Sequence, residues 1–151
     1  MAGEVYIDAT NQILGRLASI VAKMLLEGKR VYVFNSEKIV VSGERRRVIE
    51  SYKLLFKVRT HYNPEKSGIR RYRSPHMIFK RAVRGMLPMD KSKGREAYRR
   101  LKAFIGVPEE YRGREMIRFP EADVSRLKNK YVYLEDVAKE LGWRGVEPRV
   151  R

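Results

Sequence analysis

Apolar residues along this chain follow two spacings, and the places where one gives way to the other outline its elements. Val5, Tyr6 and Ile7 make a short β-favouring run, after which Asp8-Ala9-Thr10-Asn11 supplies turn and N-cap chemistry. Leu14, Leu17, Ala18, Val21 and Leu25 then share one face at helical spacing, Arg16, Ser19, Lys23 and Glu27 fall elsewhere, and Gly28 is placed to end the helix. Val31 to Phe34 and Ile39 to Val41 are β-branched and aromatic runs divided by Asn35-Ser36-Glu37, which predict two strands, paired or neighbouring. Strand, helix and strand with few turn residues between them predict a βαβ unit, whose parallel strands are normally covered by helices on both faces.

Ser42-Gly43 opens a second helix, with Val48, Ile49, Tyr52, Leu55 and Phe56 as its inward stripe and Arg46, Glu50, Lys53 and Lys57 on another face. From Thr60 to Arg73 the spacing is lost, and His61, Asn63-Pro64, Gly68 and the Arg70-Arg71-Tyr72-Arg73 cluster predict an exposed basic loop. Ser74 as N-cap and Pro75 at the first helical position predict a third helix to about Arg84, stopped by Gly85 and Pro88. Ser92 caps a fourth, in which Ala97, Leu101, Phe104 and Ile105 face inward, Arg95, Arg99 and Lys102 share an outer face, and Gly106 and Pro108 end the element. The chain beyond, with Pro108, Gly113 and Pro120, reads as irregular until a C-terminal helix over 134–142, built on Leu134, Val137, Ala138 and Leu141 and closed by Gly142; residues 145–151 are expected to fray. There is no internal repeat, no low-complexity tract and no dividing linker. The expectation for residues 1–151 is therefore one compact α/β domain, a mostly parallel β-sheet of about four strands sandwiched by helices, with basic loop and helical extensions.

Charge adds a partner to this outline. Between Glu44 and Lys102 nineteen Lys and Arg face five Asp and Glu, which places fourteen of the chain's sixteen net positive charges in the 44–102 stretch. The flanks hold fifteen basic and thirteen acidic residues, an ordinary balance. A pole so concentrated attracts a polyanion, either nucleic acid or an acidic membrane surface. The lipid reading is the weaker, because the stretch is rich in Arg and Tyr and has no continuous face of Trp, Phe and Leu. Met1 to Tyr6 shows no basic region followed by an apolar core, and no apolar run nears the roughly 20 residues that span a bilayer, so neither secretion nor a membrane span is expected. Cysteine is absent, which excludes disulfides and thiolate metal sites and fits an intracellular protein.

The cations come in four groups: Arg45-Arg46-Arg47; Arg70, Arg71 and Arg73 around Tyr72; Lys80, Arg81 and Arg84; and Lys91, Lys93, Arg95 and Arg99. Solvated helix faces account for a lone charge run, but not for four with so few carboxylates among them. Arg forks match phosphate oxygens bidentately, and Tyr62, Tyr72 and Tyr98 are placed to stack on bases or riboses. Arg16, Lys53, Lys57 and Arg59 complete the set of candidate RNA contacts. Their spread over helices and a loop suits the irregular surface of folded RNA better than one recognition helix in a DNA groove.

Other chemistry is sparse. Gly15 lies between a strand and a helix, but neither GxGxxG nor GxxxxGK[ST] is present, so it reads with Gly43, Gly85 and Pro88 as a structural turn residue. His61 and His76 alone supply at most half of a tetrahedral metal site and read as loop or RNA-facing residues. Asp8 reads as a turn former, and Asp90 sits beside Lys91 and Lys93; no nucleophile with a base and an orienting carboxylate stands out. No catalytic residue, metal, cofactor or small-molecule substrate is expected. A reading of a different class remains open on the residues alone: an RNA-modifying or nucleotide-dependent enzyme that uses the Thr10 to Ser19 turn as its phosphate site.

Taken in order, Ile7-Asp8-Ala9-Thr10, Leu14-Gly15-Arg16-Leu17-Ala18-Ser19, Val33-Phe34-Asn35-Ser36-Glu37-Lys38 and Val41-Ser42-Gly43 resemble one family, ribosomal protein thirteen of the large subunit. Arg81-Ala82-Val83-Arg84-Gly85-Met86-Leu87-Pro88, then Gly94 and Leu101-Lys102 leading into Gly106, is similar to that family's second signature. The resemblance implies a parallel sheet sandwiched by helices, no catalytic activity, and a place on the cytoplasmic ribosome with large-subunit ribosomal RNA and neighbouring large-subunit ribosomal proteins as partners. It also implies that the Leu14 to Ser19 junction and the Arg81 to Pro88 helix end lie at or near RNA. The longer leading segment of bacterial members is missing, the Glu44 to Arg73 region departs from the bacterial pattern, and the chain ends at Arg151 without a long basic extension. The resemblance is therefore to the archaeal-like version of the family.

Overall fold

The computed structural model describes residues 3–57 and 72–145. In chain order the elements are β1 (Glu4–Asp8), α1 (Leu14–Leu26), β2 (Arg30–Phe34), β3 (Val40–Ser42), α2 (Arg45–Lys57), α3 (Pro75–Arg84), α4 (Ser92–Arg99), β4 (Leu101–Ala103), β5 (Tyr131–Tyr133) and α5 (Leu134–Glu140). Arg59, and His61, Tyr62, Arg70 and Arg71 of the expected basic loop, lie outside the described residues, as does the tail over 146–151.

The expected βαβ unit forms. β1, β2 and β4 make a parallel sheet in the order β1-β2-β4, with Tyr6 opposite Tyr32 and Val31 opposite Leu101. Alternation along the strands sends Ile7, Val31, Val33 and Leu101 to one face, each at most 2% exposed. There they meet Leu17, Val21 and Leu25 of α1 and Phe79 and Val83 of α3, all fully buried.

The other face carries a layer of rings. Tyr6 stacks on Tyr32 with centroids 5.1 Å apart, and Phe34 stacks on Phe104 at 5.3 Å. Tyr111, from a 3-10 turn at Glu109–Tyr111, tilts across them at 5.2 Å from Phe34 and 5.6 Å from Tyr32. The Arg114 guanidinium closes this layer, 4.9 Å from the Tyr6 ring and 5.5 Å from Tyr111. Among the described residues these rings cover that face of the sheet, and each well-stacked pair adds about 0.5–1.5 kcal/mol beyond its area. At the open edge of β1, Ile117 N–H donates to the Tyr6 carbonyl at 2.8 Å and the Ile117 carbonyl accepts from Asp8 N–H at 3.0 Å.

Three expectations need correction. The fourth helix ends at Arg99, and Leu101–Ala103 is a strand. Ala97 and Leu101 do face inward, but the second does so by pairing with Val31 of β2, and Phe104 points to the aromatic face rather than the helical core. The two runs on either side of Asn35 do not pair. Asn35 has φ 59°, the left-handed region, and with the Ser36–Lys38 turn it redirects the chain so that β3 joins β5 antiparallel, Val41 opposite Val132. On α2, Val48 and Ile49 are buried, but Leu55 is 46% exposed, because the core meets the first turns of that helix.

Candidate nucleic-acid interface

The functional surface is built on α3 and α4. Ser74 holds an extended backbone before α3 and Pro75 takes its first position, as the sequence predicts, although the Ser74 side chain makes no capping bond. Ile78, Phe79 and Val83 anchor the helix in the core. His76, Lys80 and Arg84 follow one another at a spacing of four, so they form one line along its length. On α4, Gly94 and Ala97 are buried while Arg95 and Arg99, one turn apart, are exposed.

The two helices share a tyrosine. Lys80 Nζ stands 5.2 Å from the centroid of the Tyr98 ring. Burial raises the pKa of the Tyr98 hydroxyl, the neighbouring Tyr72 adds to this, and the Arg84 and Arg81 guanidiniums act against it. Tyr72, Arg81 and Arg84 are thus near enough to act on the ring that Lys80 approaches. Burial also lowers the Lys80 pKa, and burial with the Lys80 charge lowers that of His76. His76 Nδ1 is buried and has no hydrogen-bond partner among the described residues.

Ion pairing sorts the candidate contacts. Arg45 Nη2 lies 3.2 Å from Glu140 Oε1, Arg46 Nε 3.1 Å from Glu50 Oε1, and Arg47 Nε 3.8 Å from Glu44 Oε2. Exposed pairs like these contribute about 0–1 kcal/mol to stability, but each cancels a cation that a phosphate would otherwise feel. Among the described residues, Lys80, Arg81, Arg84, Lys91, Lys93, Arg95 and Arg99 have no such pair, nor do Lys53 and Lys57 on α2. Arg73 lies 5.2 Å over the Phe56 ring, tying the segment before α3 to α2. Arg16 stands apart from this grouping, with Nη1 donating to the Glu121 carbonyl at 3.4 Å.

The turn residues divide similarly. Gly43 has φ 125° and serves a true turn, and Gly85 follows α3, with Pro88 in the connection to α4. Gly15, read as a turn residue from the sequence, lies instead in the first turn of α1. The connector before it is shaped by Asp8 and by Asn11 at φ 59°. Asp8 Oδ1 accepts from Thr10 N–H at 3.0 Å, Thr10 Oγ1 at 2.7 Å and Asn35 Nδ2 at 3.0 Å. Burial pushes the Asp8 pKa up, but these bonds, with Arg118 nearby, outweigh it and hold the carboxyl below its usual value.

The same connector bears on the nucleotide-site reading. A phosphate loop needs convergent free amides. Here Asn11 N–H donates to the Lys38 carbonyl, Gln12 N–H to that of Ala9, and Ile13 N–H to that of Ala122. Arg118 Nη2 donates to the Thr10 carbonyl at 2.7 Å, and Gln12 Oε1 accepts from Phe119 N–H at 3.2 Å. The turn is thus wired to residues 117–124, which the sequence reading left irregular. No local pattern announces Arg118 or Gln12, since both bonds join distant segments. Among the described residues no group of three or more His, Cys, Asp or Glu is placed to hold a metal, and no helix is long and apolar enough to cross a membrane.

Comparison with known proteins bears on the whole scaffold. The family described as ribosomal protein L13 matches residues 3–110, which include β1 to β4 and α1 to α4. The protein named large ribosomal subunit protein uL13 of Saccharolobus solfataricus is 58% identical over 141 residues, 93% of this chain and 94% of the relative. Those of Sulfolobus acidocaldarius and Aeropyrum pernix, under the same name, are 56% and 52% identical, covering 91% and 95% of this chain and 93% of each relative. The family match holds the sheet, α1 and both helices of the basic surface, and the likeness to these relatives runs over nearly the whole length: this chain belongs to the ribosomal protein L13 family.

Proposed function

We propose that this chain is a structural, non-catalytic protein of the large ribosomal subunit, holding ribosomal RNA of the cytoplasmic ribosome against α3 and α4 and lying beside other large-subunit proteins. The observation that carries the reading is a set of cations without ion pairs among the described residues, Lys80, Arg81, Arg84, Lys93, Arg95 and Arg99 on the two helices that share Tyr98, with Lys91 just before the second of them. Tyr72 and Tyr98 add stacking surface, and Lys53 and Lys57 extend the positive field along α2. Arg59, Arg70 and Arg71 join them on charge and position in the chain alone.

Assembly is the mechanism. Bringing RNA segments together accumulates negative charge, and cations on a rigid scaffold relieve that repulsion without ordering a flexible chain first. A variant with Arg81, Arg84, Arg95 and Arg99 replaced by Glu tests this. Its incorporation into large subunits, followed on gradients at high salt, is expected to fall sharply while its far-ultraviolet spectrum stays native. A folded variant that cofractionates with the subunit as the parent does overturns the reading.

A further inference from the structure

We propose a second RNA site, on the outer side of the β3–β5 pair, that takes unpaired nucleotides; it rests on the RNA-binding reading above. β5 places Tyr131 opposite Ser42 and Tyr133 opposite Val40. The strand's alternation sends Val132 inward, 5% exposed, and leaves Tyr131 and Tyr133 on the other side at 44% and 37% exposed. The two rings stand nearly perpendicular, 84°, with centroids 6.0 Å apart. Tyr133 is held in place, because its hydroxyl donates to Asn11 Oδ1 at 2.9 Å and the Asn11 backbone N–H in turn donates to the Lys38 carbonyl. Gly43 N–H donates to the Lys130 carbonyl at 2.8 Å and fixes the approach to the strand.

Charge chooses the occupant. Arg126, Lys128 and Lys130 precede the rings, all three exposed and without an ion pair among the described residues. Residues 124–134 contain no Asp or Glu. Exposed cations within five residues of exposed rings along the chain match the two parts of a single-stranded nucleotide, phosphate and base face, whereas a duplex keeps its base faces stacked inside. This site falls outside the 44–102 pole, on a strand that the sequence pattern does not announce.

The test uses the full chain with Arg81→Glu and Arg84→Glu already in place, which weakens the α3–α4 surface. Two probes are compared by fluorescence anisotropy, a mixed-sequence RNA single strand of about 12 nucleotides and an RNA duplex of about 16 base pairs. Tyr131→Ala with Tyr133→Ala should weaken single-strand binding about tenfold and leave the duplex within about twofold, from the loss of base stacking. Tyr131→Phe with Tyr133→Phe should bind as its parent does, since it keeps both rings. Lys128→Glu with Lys130→Glu should weaken both probes and carries the test if the Ala pair fails to fold. Parental single-strand affinity in a folded Ala pair, or in the Lys128→Glu, Lys130→Glu protein, overturns the proposal and leaves this face to a protein neighbour. The unsubstituted chain binding neither probe overturns the RNA-binding reading itself.

Discussion

Lys80 on α3 and Tyr98 on α4 meet across the helix pair, the ammonium 5.2 Å from the ring centroid. The contact joins a cation to a stacking surface on the two helices whose cations have no ion pair among the described residues. Tyr98→Ala is expected to weaken binding to large-subunit ribosomal RNA about five- to tenfold, whereas Tyr98→Phe keeps the ring and binds within about twofold. Filter binding of the three proteins checks this.

A backbone constraint sets the position of α4. A Cβ built on Gly94 lies 2.0 Å from the Pro88 carbonyl oxygen and 2.4 Å from its carbon, so the helix approaches the 88–89 backbone as only glycine permits. Gly94→Ala should destabilise the protein by about 3 kcal/mol through overpacking, read from urea unfolding. Gly15→Ala is the control. Nothing lies within 4 Å of a Cβ there and the position is helical, so stability should stay level or rise slightly.

Asp8 predicts a pH dependence. Its carboxyl is held below the ordinary value of 3.8, so the unfolded chain takes up the proton first as pH falls. The stability it supplies is present above about pH 3.8 and is lost as pH drops through the lower, folded value. Asp8→Asn should therefore be less stable than the parent by about 1 kcal/mol at neutral pH, with the gap closing in acid. Unfolding curves from pH 7 to pH 2 measure it, and a gap that stays constant contradicts the assignment.

The self-paired arginines of α2 should matter less than the unpaired ones of α3. Arg45 is matched by Glu140 and Arg46 by Glu50, while Arg81 and Arg84 have no acid partner among the described residues. Neutralising Arg45 and Arg46 to Gln should cost less RNA affinity than the same change at Arg81 and Arg84, about threefold against about thirtyfold for two lost phosphate contacts. Parallel titrations of the two double variants decide between them.

Much of the scaffold was legible in the chain, for reasons particular residues make clear. Leu14, Leu17, Ala18, Val21 and Leu25 are all buried, because a long amphipathic helix repeats its signal several times. β4 was hidden because Ala97, Leu101 and Phe104 satisfy a helix and a strand equally well over so few residues. What decides is β2, whose Val31 and Val33 need a partner on their free side. The excess of cations was visible, but which of them stay available depends on where Glu140 lands, a non-local fact. The Arg46 and Glu50 pair, at a spacing of four on one helix, was readable in advance. Arg100, whose Nη2 donates to the Leu25 carbonyl at 2.6 Å at the end of α1, was counted with the basic pole and turns out to serve a helix end.

The salt dependence of ribosomal RNA binding bears most directly on the α3–α4 surface. If these helices neutralise phosphates, the logarithm of affinity falls steeply and linearly with the logarithm of salt, by about 0.7–0.9 for each phosphate contacted. Replacing Arg81, Arg84, Arg95 and Arg99 with Gln should then flatten the slope by about three. A folded quadruple variant that keeps the parental slope would contradict the account.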